Sequence, residues 1–240
     1  MKRIFFLLAF FVMTDYAFSQ NSSTGAKKAK AATGAKPVAP VKSRLALITT
    51  DYGSITVRLY DSTPQHRDNF IKLVNEGFYD SLLFHRVINE FMIQGGDPTS
   101  KDADSTAMVG AGSAPGERVP AEINYNYIHK KGVLAAARDN NPEKASSNCQ
   151  FYIVQGRKST DEELNSVECN IRQGGDLLFR YTEAQRKIYK TVGGTPFLDQ
   201  NYTVFGEVVK GLDVIDKIAT VPTNSDRPVK DVRMKIKMLN

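Results

Sequence analysis

Tryptophan is absent from this chain, and only three histidines and two cysteines occur among its 240 residues. His66, His85 and His129 show no ligand-like spacing with one another or with cysteine, so neither a metal nor another cofactor is expected. A lone histidine such as His85 is expected to bond internally. Cys149 and Cys169 admit two readings, a disulfide or two separately buried thiols, and sequence does not choose between them. Thirteen Phe and ten Tyr supply core material in place of Trp.

Also missing is an apolar run long enough to cross a bilayer. The stretch Ile4 to Met13 has about ten residues, half of the ~20 that a spanning helix needs. It follows Lys2-Arg3 and precedes Ala17-Phe18-Ser19, a pattern of charge, apolar middle and small residues that reads as a secretory signal peptide over 1–19. No cysteine follows the run, so an acylated lipoprotein is not indicated. The expectation is an exported chain with no stable membrane insertion after cleavage.

From Leu45 onward, the chain lacks a strong charge of either sign. The formal net charge is +6, but the first twenty residues contribute +1 and Lys27, Lys28, Lys30, Lys36, Lys42 and Arg44 another +6, leaving −1 from Leu45 onward. A nucleic-acid partner is therefore not expected. Residues 20–43, rich in Ala, Lys, Thr, Gly and Pro and free of aromatics, read as a flexible linker. An electrostatic anchor to an anionic surface is the alternative. A phosphate cradle is excluded as well. Gly110, Gly112 and Gly116 lie in a stretch broken by Pro115, not at a strand-to-helix junction, so Asp97 to Arg118 reads as a surface loop.

What remains, 44–240, is a succession of short strands. Leu45–Thr50 and Ser54–Tyr60 flank Asp51-Tyr52-Gly53, a hairpin signal. Thr63 and Pro64 read as N-cap and first residue of a helix with Phe70, Ile71, Val74 and Phe78 on its apolar side, and Gly77 marks its end. Gly132–Ala137, Gln150–Val154 and Val204–Val209 are further strands. Leu212, Ile215 and Ile218 mark a second helix, and Val232–Leu239 alternates as a last strand. Between them, 157–195 holds two capping-box patterns, Thr160 to Glu163 and Thr182 to Gln185, and is expected to form two helices. Many short strands with no βαβ rhythm predict a mainly β fold, a closed antiparallel eight-stranded barrel capped by two α-helices.

The most specific stretch is Phe84-His85-Arg86-Val87-Ile88-Asn89-Glu90-Phe91-Met92-Ile93-Gln94-Gly95-Gly96-Asp97-Pro98. It reads as strand, tight connection, strand. Arg86, Met92 and Gln94 then share one face, because strand side chains alternate. Such a face holds an apolar group beside a permanent cation and offers neither an acid–base pair nor a nucleophile. The run FHRVI-x-x-FM-x-QGGD resembles the signature of the cyclophilins, peptidyl-prolyl cis-trans isomerases that bind cyclosporin. The GxLxxA strand, the Gln150 strand and the VFG strand extend the resemblance.

That resemblance implies a cyclophilin-like barrel carrying 157–195 as an insertion, and an enzyme that rotates X–Pro bonds and assists protein folding. It implies Arg86 as catalytic donor and Gln94 as the amide orienting substrate and Arg86. It implies an apolar pocket of Phe91, Met92 and Leu198, with Tyr152 where Phe is usual, and Gln150 as a polar groove residue. Ala137 and Arg138 stand where backbone groups pair with substrate, Arg138 replacing a usual Asn. Tyr202 replaces a frequent His. Phe197 replaces the Trp of cyclosporin-sensitive members and lacks its N–H donor, so reduced cyclosporin affinity follows. Phe151 should face the core. Proline-containing polypeptides are the expected partners, and the segment 157–195 with the Ser19–Gln20 junction favours a bacterial periplasm. Two other classes stay open here: a proline-motif binding module without catalysis, and an envelope-anchored protein using its Lys-rich tail.

Overall fold

Alternating apolar residues pair off into hairpins, and the hairpins assemble one curled sheet. The computed structural model describes residues 44–239, so the expected signal peptide and linker lie outside the described residues. In chain order come β1 (Leu45–Thr50), β2 (Gly53–Leu59), α1 (Pro64–Asn75), β3 (Arg86–Ile88) and β4 (Met92–Gly95). After a long loop follow β5 (Val133–Ala136), β6 (Phe151–Val154), α2 (Asp161–Gln173) and α3 (Glu183–Thr191). The chain ends with β7 (Val204–Lys210), α4 (Leu212–Ala219), the short pair β8 (Thr223–Asn224) and β9 (Arg227–Pro228), and β10 (Met234–Leu239).

Eight strands form one antiparallel sheet in the order β10-β1-β2-β7-β5-β6-β4-β3. The ladder ends at β10 and β3, which corrects the expected closed barrel to a curled open sheet. Its edges are stitched just before those strands, by a Leu83–Arg233 bridge and by Phe84 N–H donating to Val232 C=O at 2.9 Å.

Strand alternation sorts side chains onto two faces. On the inner face Ile93, Leu134, Ala136, Phe151, Ile153 and Phe205 join the main core, with Phe70, Leu73 and Val74 of α1 on one side and Val214, Ile215 and Ile218 of α4 on the other. Each large aliphatic or aromatic side chain buried there contributes roughly 1.5–3 kcal/mol. Phe151 thus faces the core as its neighbours require. Leu212, expected on the buried side of α4, is instead 41% exposed, and Val214 takes its place. The outer face carries a smaller cluster of Met92, Val133, Ala135, Tyr152, Val154, Leu198 and Val204. That second, outward cluster is the floor of the site.

The helix ends divide by the range of the signal. Pro64 opens α1 and Gly77, at φ +68°, closes it, with Phe78 N–H donating to Leu73 C=O and Gly77 N–H to Val74 C=O. Thr63, however, makes no side-chain cap. The carboxylate of Glu122 crosses from the loop before β5 and accepts from the Gln65 and His66 N–H groups at 3.1 and 2.9 Å. Both α2 and α3 begin with a complete capping box, Thr160 with Glu163 and Thr182 with Gln185. These two helices share a core of Leu164, Phe179, Tyr181 and Tyr189 with Ile128. Cys149 is buried, Cys169 is exposed on α2, and the two are not bonded, so only Cys149 fits the reading of buried thiols.

Candidate active site

Register builds the site. Arg86 of β3 pairs with Gln94 of β4, Gln94 with Tyr152 of β6, and Tyr152 with Ala135 of β5. One step along, Ile88 pairs with Met92 and Met92 with Val154. Arg86, Gln94 and Tyr152 therefore lie in one row across the outer face, with Met92 beside them. Gly96 then turns the chain at φ +96°, where a Cβ would meet the Cys149 carbonyl oxygen at 2.3 Å, so only glycine fits.

Above this row opens a cleft of about 760 Å³. Nine of the expected residues line it: Arg86, Phe91, Met92, Gln94, Ala137, Arg138, Tyr152, Leu198 and Tyr202. Gln150 lines an adjoining polar cleft of about 780 Å³, which shares Gln94, Ala137 and Arg138 with the first. Phe197 stands on the rim, 58% exposed, its ring centroid 5.5 Å from that of Phe91. The 3-10 turn Pro196–Leu198 splits these two neighbours, sending Phe197 outward and Leu198 into the wall.

The polar groups differ from expectation in three places. Arg86 takes its partner from Asp226, with Nε 3.3 Å from the carboxylate, and its guanidinium carbon lies 6.0 Å from the Phe91 ring centroid. The Gln94 amide donates to Gln150 Oε1 at 3.0 Å, and Gln150 in turn donates to the carbonyls of Gly110 and Gly112. Gln94 is thus tied to the loop, not to Arg86. The Ala137 N–H donates to Gln150 C=O and its own C=O accepts from Ser147 N–H, so this residue offers its methyl group to the cleft and leaves backbone pairing to Arg138. The Arg138 side chain clamps Tyr202, its guanidinium 4.8 Å from that ring and its Nε donating to Asn201 C=O at 2.8 Å.

Two walls escaped the sequence. Ser105 to Ala111 flanks the cleft, held by Asp97, which accepts from Thr99 N–H and Gly110 N–H. The β8–β9 turn, with Ser225 and Asp226 both at positive φ, brings Asp226 against Arg86, and Arg227 joins this wall to the first by donating to Ala107 C=O at 2.6 Å. Pairs 120 and 140 residues apart leave no local signal. His85 also lines the cleft, and neither ring nitrogen has a hydrogen-bond partner among the described residues, which corrects its expected internal bond. Burial pushes its pKa down to about 4, against the opposing pull of Asp97, so the ring is neutral.

Two histidines do bond internally, each to a carboxylate. His129 Nδ1 lies 2.7 Å from Asp199 and Nε2 lies 3.0 Å from the Tyr152 hydroxyl. His66 Nδ1 lies 2.7 Å from Glu122 and Nε2 lies 2.9 Å from Ser146 Oγ. The latter has the connectivity of a nucleophilic triad, but Ser146 is wholly buried and no acyl group can reach it. The chemistry available in the cleft is that of a guanidinium beside an apolar pocket.

Comparison with known proteins addresses the family and the fold. Residues 45–238 match the family described as cyclophilin type peptidyl-prolyl cis-trans isomerase/CLD. A Staphylococcus haemolyticus protein named for peptidyl-prolyl cis-trans isomerase activity is 35% identical over 76% of this chain and 84% of its own length. A similarly named Staphylococcus saprophyticus protein is 35% identical over 78% of this chain and 86% of its own length. Among solved structures, a Cryptosporidium parvum cyclophilin type peptidyl-prolyl cis-trans isomerase shares the fold at a TM-score of 0.59 and 23% identity, over 82% of this chain and 98% of that one. The same protein has been crystallised in the presence of the dipeptide Ala-Pro.

Proposed function

This chain belongs to the cyclophilin-type peptidyl-prolyl cis-trans isomerases and is an enzyme of that class, and from that premise we propose that Arg86 drives non-covalent rotation of X–Pro bonds in exported polypeptides. The supporting observation is the row Arg86–Gln94–Tyr152 above a floor of Met92 and Leu198. A pyrrolidine ring fits the apolar floor, and the chain before it runs along the Arg138 backbone.

The barrier to rotation is ~18–20 kcal/mol because the C–N bond has partial double-bond character. Twisting localises the lone pair on the prolyl nitrogen, which then accepts a hydrogen bond it could not accept when planar. Arg86 supplies that donor. Its fork is permanently charged, and Asp226 and the Phe91 ring hold it at the lip of the pocket. A contact stronger in the twisted state than in either planar state raises the rate in both directions. Gln94, anchored by Gln150, presents its amide oxygen to the substrate chain. Proline-containing polypeptides are the substrates, and the solved relative crystallised with Ala-Pro supports that assignment.

Export to a bacterial periplasm follows from the signal-like residues 1–19, with 20–43 as a tether. Cyclosporin binds with reduced affinity, because Phe197 lacks an indole donor and faces outward. The test is turnover of a proline-containing peptide by the protein and by Arg86→Ala, with circular dichroism to confirm folding. Loss of a well-placed donor should cut the rate on the order of 10²-fold. Equal turnover by the two proteins would overturn the mechanism.

A further inference from the structure

Asp199 has no solvent exposure, yet its carboxylate accepts four hydrogen bonds. Oδ1 takes the His129 N–H at 2.8 Å and His129 Nδ1–H at 2.7 Å. Oδ2 takes the hydroxyls of Tyr181 at 2.6 Å and Tyr189 at 2.5 Å. A carboxylate has about four lone-pair sites, so this set saturates it. Both tyrosines belong to 157–195, the segment with α2 and α3, and both are buried. Burial first, and then the Asp199 charge, push their hydroxyls far above the usual tyrosine range, so they are permanent donors.

The consequences run inward. His129 thus stands between Asp199 at Nδ1 and the Tyr152 hydroxyl at Nε2, 3.0 Å away, and links the carboxylate to the cleft residue. That contact points the Tyr152 hydroxyl at a buried ring, while Tyr152 itself lines the cleft. Asp199 also follows Leu198 directly, and the Tyr181 hydroxyl oxygen lies 3.2 Å from Pro196 C=O, beside the turn that supplies the Leu198 wall. Every side chain in this chain of bonds is more than nine-tenths buried. Tyr181 and Tyr189 thus reach Tyr152 through three successive hydrogen bonds, all of them out of solvent.

We propose that the helical segment 157–195 is a positioning element for the proline pocket, with Tyr181 and Tyr189 acting through Asp199 and His129 to hold Tyr152. It rests on the cleft being the isomerase site. Tyr181 and Tyr189 touch no substrate and are positioning residues. The segment is therefore part of the catalytic unit, not a surface addition.

A double-mutant cycle on peptide isomerisation tests this. Tyr181→Phe, Tyr189→Phe and Tyr152→Phe are measured singly, and each of the first two is combined with Tyr152→Phe, with melting temperatures recorded throughout. Tyr189→Phe and Tyr181→Phe should each lower kcat/KM by roughly tenfold in the natural background. In the Tyr152→Phe background they should lower it no further, because the link is already cut. Losses that multiply, or turnover unchanged while the melting temperature falls, would make the tyrosines mere packing and overturn the proposal. Two tyrosine variants guard against one failing to fold. Arg86→Ala run alongside separates the claims. If it is inactive while the cycle is multiplicative, only the network falls; if it is as active as the natural protein, both fall.

Discussion

Two buried chains of polar groups in this molecule have the same chemistry and different outlets. In each, a carboxylate binds His Nδ1 and a hydroxyl binds His Nε2: Glu122–His66–Ser146 beneath α1, and Asp199–His129–Tyr152 beneath the cleft. Glu122 uses its remaining capacity on the N-terminal N–H groups of α1, so that chain terminates in secondary structure. Burial would raise the Glu122 carboxyl, but the bonds from His66 and Gln65 bring it below the usual carboxylate range. Asp199 uses its remaining capacity on two tyrosines of the helical segment, and Tyr152 at the other end lines the cleft. Connectivity does not make a catalytic site. What lies at the end of the chain, cleft or core, decides.

Removing Glu122 is the largest way to break that contrast. Glu122→Ala strands the His66 Nδ1–H and two helix N–H groups, and should cost on the order of 3 kcal/mol of stability in denaturant titration. Turnover per folded molecule should not change. Deleting the terminal hydroxyls sharpens the contrast. Ser146→Ala and Tyr152→Phe each leave a histidine nitrogen unpaired and should each cost about 1–2 kcal/mol. Only Tyr152→Phe should slow isomerisation, and equal slowing by both would erase the distinction drawn between the two chains.

His85, which has neither carboxylate nor hydroxyl, supplies the most pH-dependent effect and none at neutral pH. Its folded pKa of about 4 lies below the ordinary value of 6.5, so the unfolded state binds the extra proton between those values. The neutral ring thus contributes stability that is present above pH ~6.5 and lost as pH falls through about 4. His85→Gln should flatten stability across that window by up to about 1.4 kcal/mol per pH unit. His66, also held neutral by burial, accounts for part of the slope that remains.

The legible part of this fold is what a few adjacent residues encode. The capping boxes at Thr160 and Thr182, the Pro64 start and the Gly77 stop of α1 are local, and each appears where its residues lie. Alternation put Arg86, Met92 and Gln94 on one face, and the structure joins them in one cleft. Long-range pairings were not legible. Glu122 capping α1, Asp226 holding Arg86 and Asp199 gathering Tyr181 and Tyr189 depend on where a loop lands, for which a sequence carries no period. The loop over 97–118 illustrates the limit. Its glycines read as surface, but Gly110 and Gly112 present carbonyls to Gln150 and so wall the cleft.

The most direct measurement is the split of kcat and KM for Arg86→Ala on a single proline-containing peptide. A donor that engages the prolyl nitrogen only when the bond is twisted predicts a kcat lowered on the order of 10²-fold with KM nearly unchanged. A raised KM with kcat intact would show that Arg86 merely holds the substrate, and would contradict the account.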